Sequence, residues 1–130
     1  MRLHPAPLLL SLLASLSAAG CVAVAAGATA GYLVSKETLE GEVQTATVAL
    51  DVEKVWREAQ ATLRTLSTKG VSVQASPRIV RGEVDGADVS IEVQAYDLDR
   101  TVILVEAKKT LAPAGTVAER VLNAVLDRLH

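Results

Sequence analysis

Between Arg2 and Lys36 the chain carries no charged side chain. A run that long and that apolar reads as a leader and anchor, so folding is expected mainly in the residues C-terminal to it. It subdivides. "MRLHPAP", residues 1–7, is a short basic start, with Arg2 as its charge. "LLLSLLASL", residues 8–16, has the length and hydrophobicity of a signal-peptide core. "SAAG", residues 17–20, supplies the small side chains that a signal peptidase pocket admits. These features predict a signal peptide over 1–20, cut between Gly20 and Cys21. They also predict an apolar tether over 21–41 and a folded domain over 42–130. Two rival readings stay open. Residues 8–34 exceed the ~20 needed to span a bilayer as one uncleaved helix. Ordinary secretion would cut after Ser17-Ala18-Ala19.

Cys21 is the only cysteine, so no disulfide can form within the chain. A small-small-Gly-Cys run closing an apolar core resembles the lipobox of bacterial lipoproteins. Ala19 and Gly20 match the usual pattern, and Ala18 stands where leucine is usual. The resemblance implies a diacylglycerol thioether on Cys21, cleavage before it, and acylation of the new amino group. Membrane lipid is then the partner of Cys21. Two or three acyl chains hold a membrane stably where one does not. Val22, not Asp, follows the cysteine. By the same resemblance, this implies the periplasmic face of the outer membrane in a Gram-negative cell. Gly27 and Gly31 form a GxxxG spacing, which can bring membrane helices together but is common by chance in Ala/Gly-rich sequence.

The remaining ~90 residues suffice for one modest core. The full chain has 13 basic and 15 acidic residues, and only Arg2 precedes Lys36, so residues 21–130 carry a net charge of −3. The dispersed charges form no basic patch of the kind nucleic-acid binding needs. Nucleic acid is therefore not an expected partner.

From Glu42 the periodicity predicts a fold. "VQTATVAL", 43–50, is β-branched and reads as a strand. Asp51 is a helix N-cap. Val52, Val55, Trp56, Ala59, Leu63 and Leu66 then recur at helical spacing over 52–68, with Gly70 as the stop. Trp56 lies on that stripe and is expected to anchor the core. "VSVQAS", 71–76, and "IVRGEV", 79–84, are strands. Asp85-Gly86 is a hairpin signal. In "ADVSIEVQAY", 87–96, Ala87, Val89, Ile91, Val93 and Ala95 alternate with Asp88, Ser90, Glu92 and Gln94, giving one dry and one wet face. "DLDR", 97–100, is a turn, and "TVILVEAKK", 101–109, reads as a central strand. "TVAE", 116–119, has the form of a capping box. It opens a helix with Ala118, Val121, Leu122, Val125 and Leu129 on one stripe. The order is β-α-β-β-β-β-α. The expected class is α+β: one antiparallel sheet of about five strands with both helices on one face. Val89, Ile91, Val93, Ile103 and Val105 would face Trp56 and Leu122.

This layout, with the helix "VWREAQATL" and the hairpin "RGEVDGADVSIEV" behind a lipobox and a Gly/Ala-rich spacer, resembles a family of small bacterial lipoproteins of unknown function. The resemblance implies a membrane-tethered periplasmic domain and brings no catalytic residues. At the level of fold alone, the layout is also similar to helix-grip domains of outer-membrane assembly lipoproteins and lipid carriers.

Chemistry-bearing residues are few. His4 lies in the leader and His130 at the end, so neither a histidine triad nor a multi-histidine metal site can form. Asp85, Asp88, Asp97 and Asp99 sit at turns, where acids serve turn geometry. A weak cation site at 97–99 lacks converging ligands. Arg78, Arg81, Arg100, Lys108 and Lys109 could form a mildly basic sheet edge, which more simply resists strand pairing. No cofactor, metal or enzymatic activity is expected. The sequence points to an envelope lipoprotein acting as an interaction or structural module, with an envelope protein as a possible partner. The alternative is a module binding a small apolar ligand, such as a lipid, between helix and sheet. The oligomeric state is not readable.

Overall fold

The computed structural model describes residues 32–39 and 42–130. The elements are β1 (Leu33–Leu39), β2 (Val43–Val48), α1 (Val52–Leu66), β3 (Ser72–Ala75), β4 (Arg78–Val84), β5 (Ala87–Ala95), β6 (Thr101–Lys108) and α2 (Gly115–Arg128). All six strands form one antiparallel sheet in the order β1-β2-β6-β5-β4-β3. The expected α+β class is observed, with one strand more than the sequence suggests.

The added strand is β1. Its sequence, "LVSKETL", falls in the stretch read as tether and polar boundary, yet it pairs with β2 from Leu33↔Val48 to Leu39↔Val43. An edge strand needs little hydrophobicity, because one side of it meets solvent. Lys36 takes a position on the helix side of the sheet, where its ammonium donates to Asn123 Oδ1 of α2 at 2.7 Å. Apolar patterning could not report a strand held this way.

The other elements follow from local chemistry. The Asp51 carboxylate accepts the Glu53 N–H at 2.6 Å and caps α1. The helix ends at Leu66, before Gly70, because Ser67 turns extended (φ −70, ψ 136) while its N–H still reaches the Leu63 carbonyl at 2.8 Å. Asp85 and Gly86 both adopt positive φ, 50 and 75, in the two-residue hairpin. Their turn sets Val84 opposite Ala87 and Gly82 opposite Val89. β6 is flanked by β5 and β2, a central position that suits its apolar start. The capping box at Thr116 is not formed. α2 begins at Gly115, and the Ala114 carbonyl accepts the N–H groups of Val117 and Ala118, both at 3.1 Å. Thr116 is therefore already inside the first turn.

Both helices pack on one face of the sheet, α1 over β4 and β5, and α2 over β6 and β2. The dry face is as expected: Val89, Ile91, Val93, Ile103 and Val105 are all buried, as is Leu122. Ala95 is exposed, at the strand end. Trp56 packs against the core but is only partly buried, while Val55, Ala59 and Leu63 of α1 are fully enclosed. Truncating the indole therefore costs less than emptying a sealed core position.

Candidate functional site

Gly20 and Cys21, the predicted cleavage and lipidation positions, lie outside the described residues, as do Gly27 and Gly31. Among the described residues no helix is long and apolar enough to cross a membrane. Leu33 and Val34, the last apolar residues of the 8–34 run, belong to β1.

The chain enters the described fold at Tyr32, which is pinned twice. Its carbonyl accepts the Ala49 N–H at 2.7 Å, and its phenol donates to the Leu126 carbonyl near the end of α2. The ring is buried. Burial first, and then the nearby Asp127 charge, raise the phenol pKa above its ordinary value. Both favour the neutral form, so the contribution of Tyr32 to stability is complete below pH 10.0 and is lost as pH rises through the raised pKa. Tyr32→Phe keeps the ring and removes the donor, and is expected to lower unfolding free energy by about 1 kcal/mol. Urea denaturation of both chains at neutral pH checks it. The gap between them should shrink at strongly alkaline pH, where the wild-type phenol ionises.

Among the described residues, no helix lies on the opposite face of the sheet. There the wet-face residues of three strands come into register. Glu83, Asp88 and Lys108 form one cross-strand row, and Arg81, Ser90 and Glu106 the next. With Lys69, which lies just beyond α1, they line an open groove of about 580 Å³. Glu83 and Asp88 stand directly opposite one another, a repulsive pairing on its own. Cations from two sides relieve it: Lys69 lies 2.9 Å from Glu83, and Lys108 is opposite Asp88. Lys108 also meets Glu106 at 2.8 Å, and Arg81 reaches Gln74 at 3.4 Å. The Glu83 carboxylate raises the Lys69 pKa, and Glu106 does the same for Lys108. The groove thus presents three cations and three carboxylates. Such exposed pairs are each worth ~0–1 kcal/mol, so a ligand bearing both charges could exchange with them at little cost.

The basic edge envisaged from the sequence does not assemble. Arg78 opens β4 and pairs with Glu53. Arg81 lies mid-strand, and Arg100 pairs with Asp97 at the β5–β6 turn. Lys108 closes β6 at the other end. The 97–99 turn is likewise committed internally. Asp97 accepts from Arg100 and from the Asp99 N–H at 2.9 Å, and these bonds, the Arg100 bond foremost, lower its pKa. Acidification therefore weakens this turn as pH falls through that lowered value. No protein-family model and no curated protein matches the sequence.

The groove was only partly legible in the sequence. The Asp85-Gly86 turn fixes Glu83 opposite Asp88 and Arg81 opposite Ser90. The further alignment with Glu106 and Lys108 depends on the length of the 96–100 turn, and Lys69 arrives from a separate element.

Proposed function

We propose that this protein is a non-enzymatic lipoprotein of the bacterial envelope, held to membrane lipid by acylated Cys21. Its folded domain then serves as an interaction module. The observation that carries this reading is the order in the chain. An apolar leader ends in Ser17-Ala18-Ala19-Gly20-Cys21, and ten further residues lead to Tyr32, the first described residue of the domain. Such a short tether keeps a folded domain at a membrane surface. In a Gram-negative cell, Val22 after the cysteine favours the outer membrane, with the domain in the periplasm. The likeness to small bacterial lipoproteins supports the same reading.

The face of the sheet turned away from α1 and α2 is the surface offered to a partner, and its balanced charges suit an envelope protein or peptide of mixed charge. The helix-grip likeness would instead put an apolar ligand between helices and sheet. Against that, Val48, Leu63, Val80, Ile91, Ile103, Leu122 and Val125 are all fully buried in that layer. The charged groove lies on the other side of the sheet.

Cys21→Ser removes the thiol that takes the diacylglycerol. The expected outcome is uptake of a tagged fatty acid by wild type and none by the variant, which also keeps its leader uncut because cleavage at Gly20–Cys21 follows lipidation. A variant labelled as strongly as wild type, or an unlabelled wild type, would sink the proposal.

A further inference from the structure

The two ends of the sheet differ in what they expose. The end where the chain enters carries the row Leu33–Val48–Thr101–Ala95, the last aligned positions of β1, β2, β6 and β5. Beyond this row projects the β5–β6 turn, closed by the Tyr96 and Asp97 N–H groups on the Arg100 carbonyl. At its tip Leu98 is 96% exposed, and Tyr96 beside it is 64% exposed. An isolated leucine at that exposure, flanked by an aromatic with a polar tip, is the chemistry of a membrane interface. Val34, 54% exposed, adds apolar surface where β1 begins.

We propose that this end of the domain rests on the bilayer, with Leu98 and Tyr96 seated at the level of the lipid headgroups. The inference rests on the anchoring of Cys21 and adds the orientation of the domain. Distance supports it. Three strand spacings separate β1 from β5, so the turn lies about 14 Å from the point where the chain enters. The ten residues between Cys21 and Tyr32 span at most about 36 Å when fully extended. The turn therefore reaches the surface from which the tether rises without stretching it. The opposite end also exposes a leucine, Leu111, 96% exposed in the β6–α2 loop. Seating that end would consume about 27 Å of the tether merely to run the length of β6.

Charge selects the lipid. Arg100 is held by Asp97 at 2.5 Å and lies over the Tyr96 ring at 4.5 Å, which leaves Asp99 as the net charge of the turn. A negative turn is repelled by anionic headgroups and suits the ammonium of zwitterionic lipids such as phosphatidylethanolamine.

The test uses the full chain, matured in cells and reconstituted into phosphatidylethanolamine/phosphatidylcholine vesicles. Leu98→Cys and Leu111→Cys are each labelled with an environment-sensitive fluorophore, with the parent chain as control. The expected result is a blue-shifted emission at position 98, quenched by brominated lipid, and a water-like, unquenched emission at position 111. Water-like emission at 98, or quenching at 111, overturns the orientation while leaving the anchor intact. Labelling of the parent chain would show Cys21 free, and would overturn the anchor and the orientation with it.

Discussion

Leu63→Ala is expected to destabilise the domain by about 3 kcal/mol, within the range for emptying a sealed core position. For a domain of this size that lowers the melting temperature by about 12 °C or more. Leu63 has no exposure to solvent and lies on the stripe of α1 shared by Val55 and Ala59. It sits over β4 at Gly82, where an added Cβ would lie 3.3 Å from its Cγ. The helix above and the sheet below are both continuous elements, so neither can collapse readily into the space left. Thermal denaturation by circular dichroism measures the loss. A melting temperature within a degree or two of wild type would show that α1 does not pack closely on the sheet.

The complementary change, Gly82→Val, overfills the same contact. A Cβ at position 82 would lie 2.9 Å from Ser67 Oγ and 3.2 Å from Val71 Cγ1. Ser67 cannot swing away freely. Its hydroxyl donates to the Lys69 carbonyl at 2.7 Å and accepts the Glu83 N–H at 3.2 Å, tying the end of α1 to β4. Valine adds two methyl groups beyond the Cβ, so either these bonds break or the helix lifts. The expected cost is about 3 kcal/mol, at the upper end of ordinary overpacking, read from the urea midpoint. Because Leu63 and Gly82 share one contact, the double variant should lose less than the sum of the singles. Strict additivity would contradict the close approach of α1 to β4.

Most of the fold is legible in the sequence wherever one side of an element is dry. The stripe of α1, the alternation of β5 and the Asp85-Gly86 turn each specify their own structure, because burial demands a period and the turn demands positive φ. Legibility fails at the margins of the core. β1 buries so little that Lys36 and Thr38 can occupy its helix-facing positions. Trp56 sits on an apolar stripe, but the curvature of a helix leaves the edge of such a stripe at the rim. The groove is harder still. Each strand shows its wet face, but which charges meet depends on pairing between strands. Arg78, Arg81, Arg100 and Lys108 look like one basic group in the chain, yet they are dispersed from one end of the sheet to the other.

Whether the domain hangs from a lipidated Cys21 is read from the intact mass of the protein extracted from membranes, beside that of Cys21→Ser. The expected mass equals residues 21–130 plus acyl chains, with the acyl increment absent from the variant. An unmodified full-length mass would contradict it, and would mean that the leader is retained.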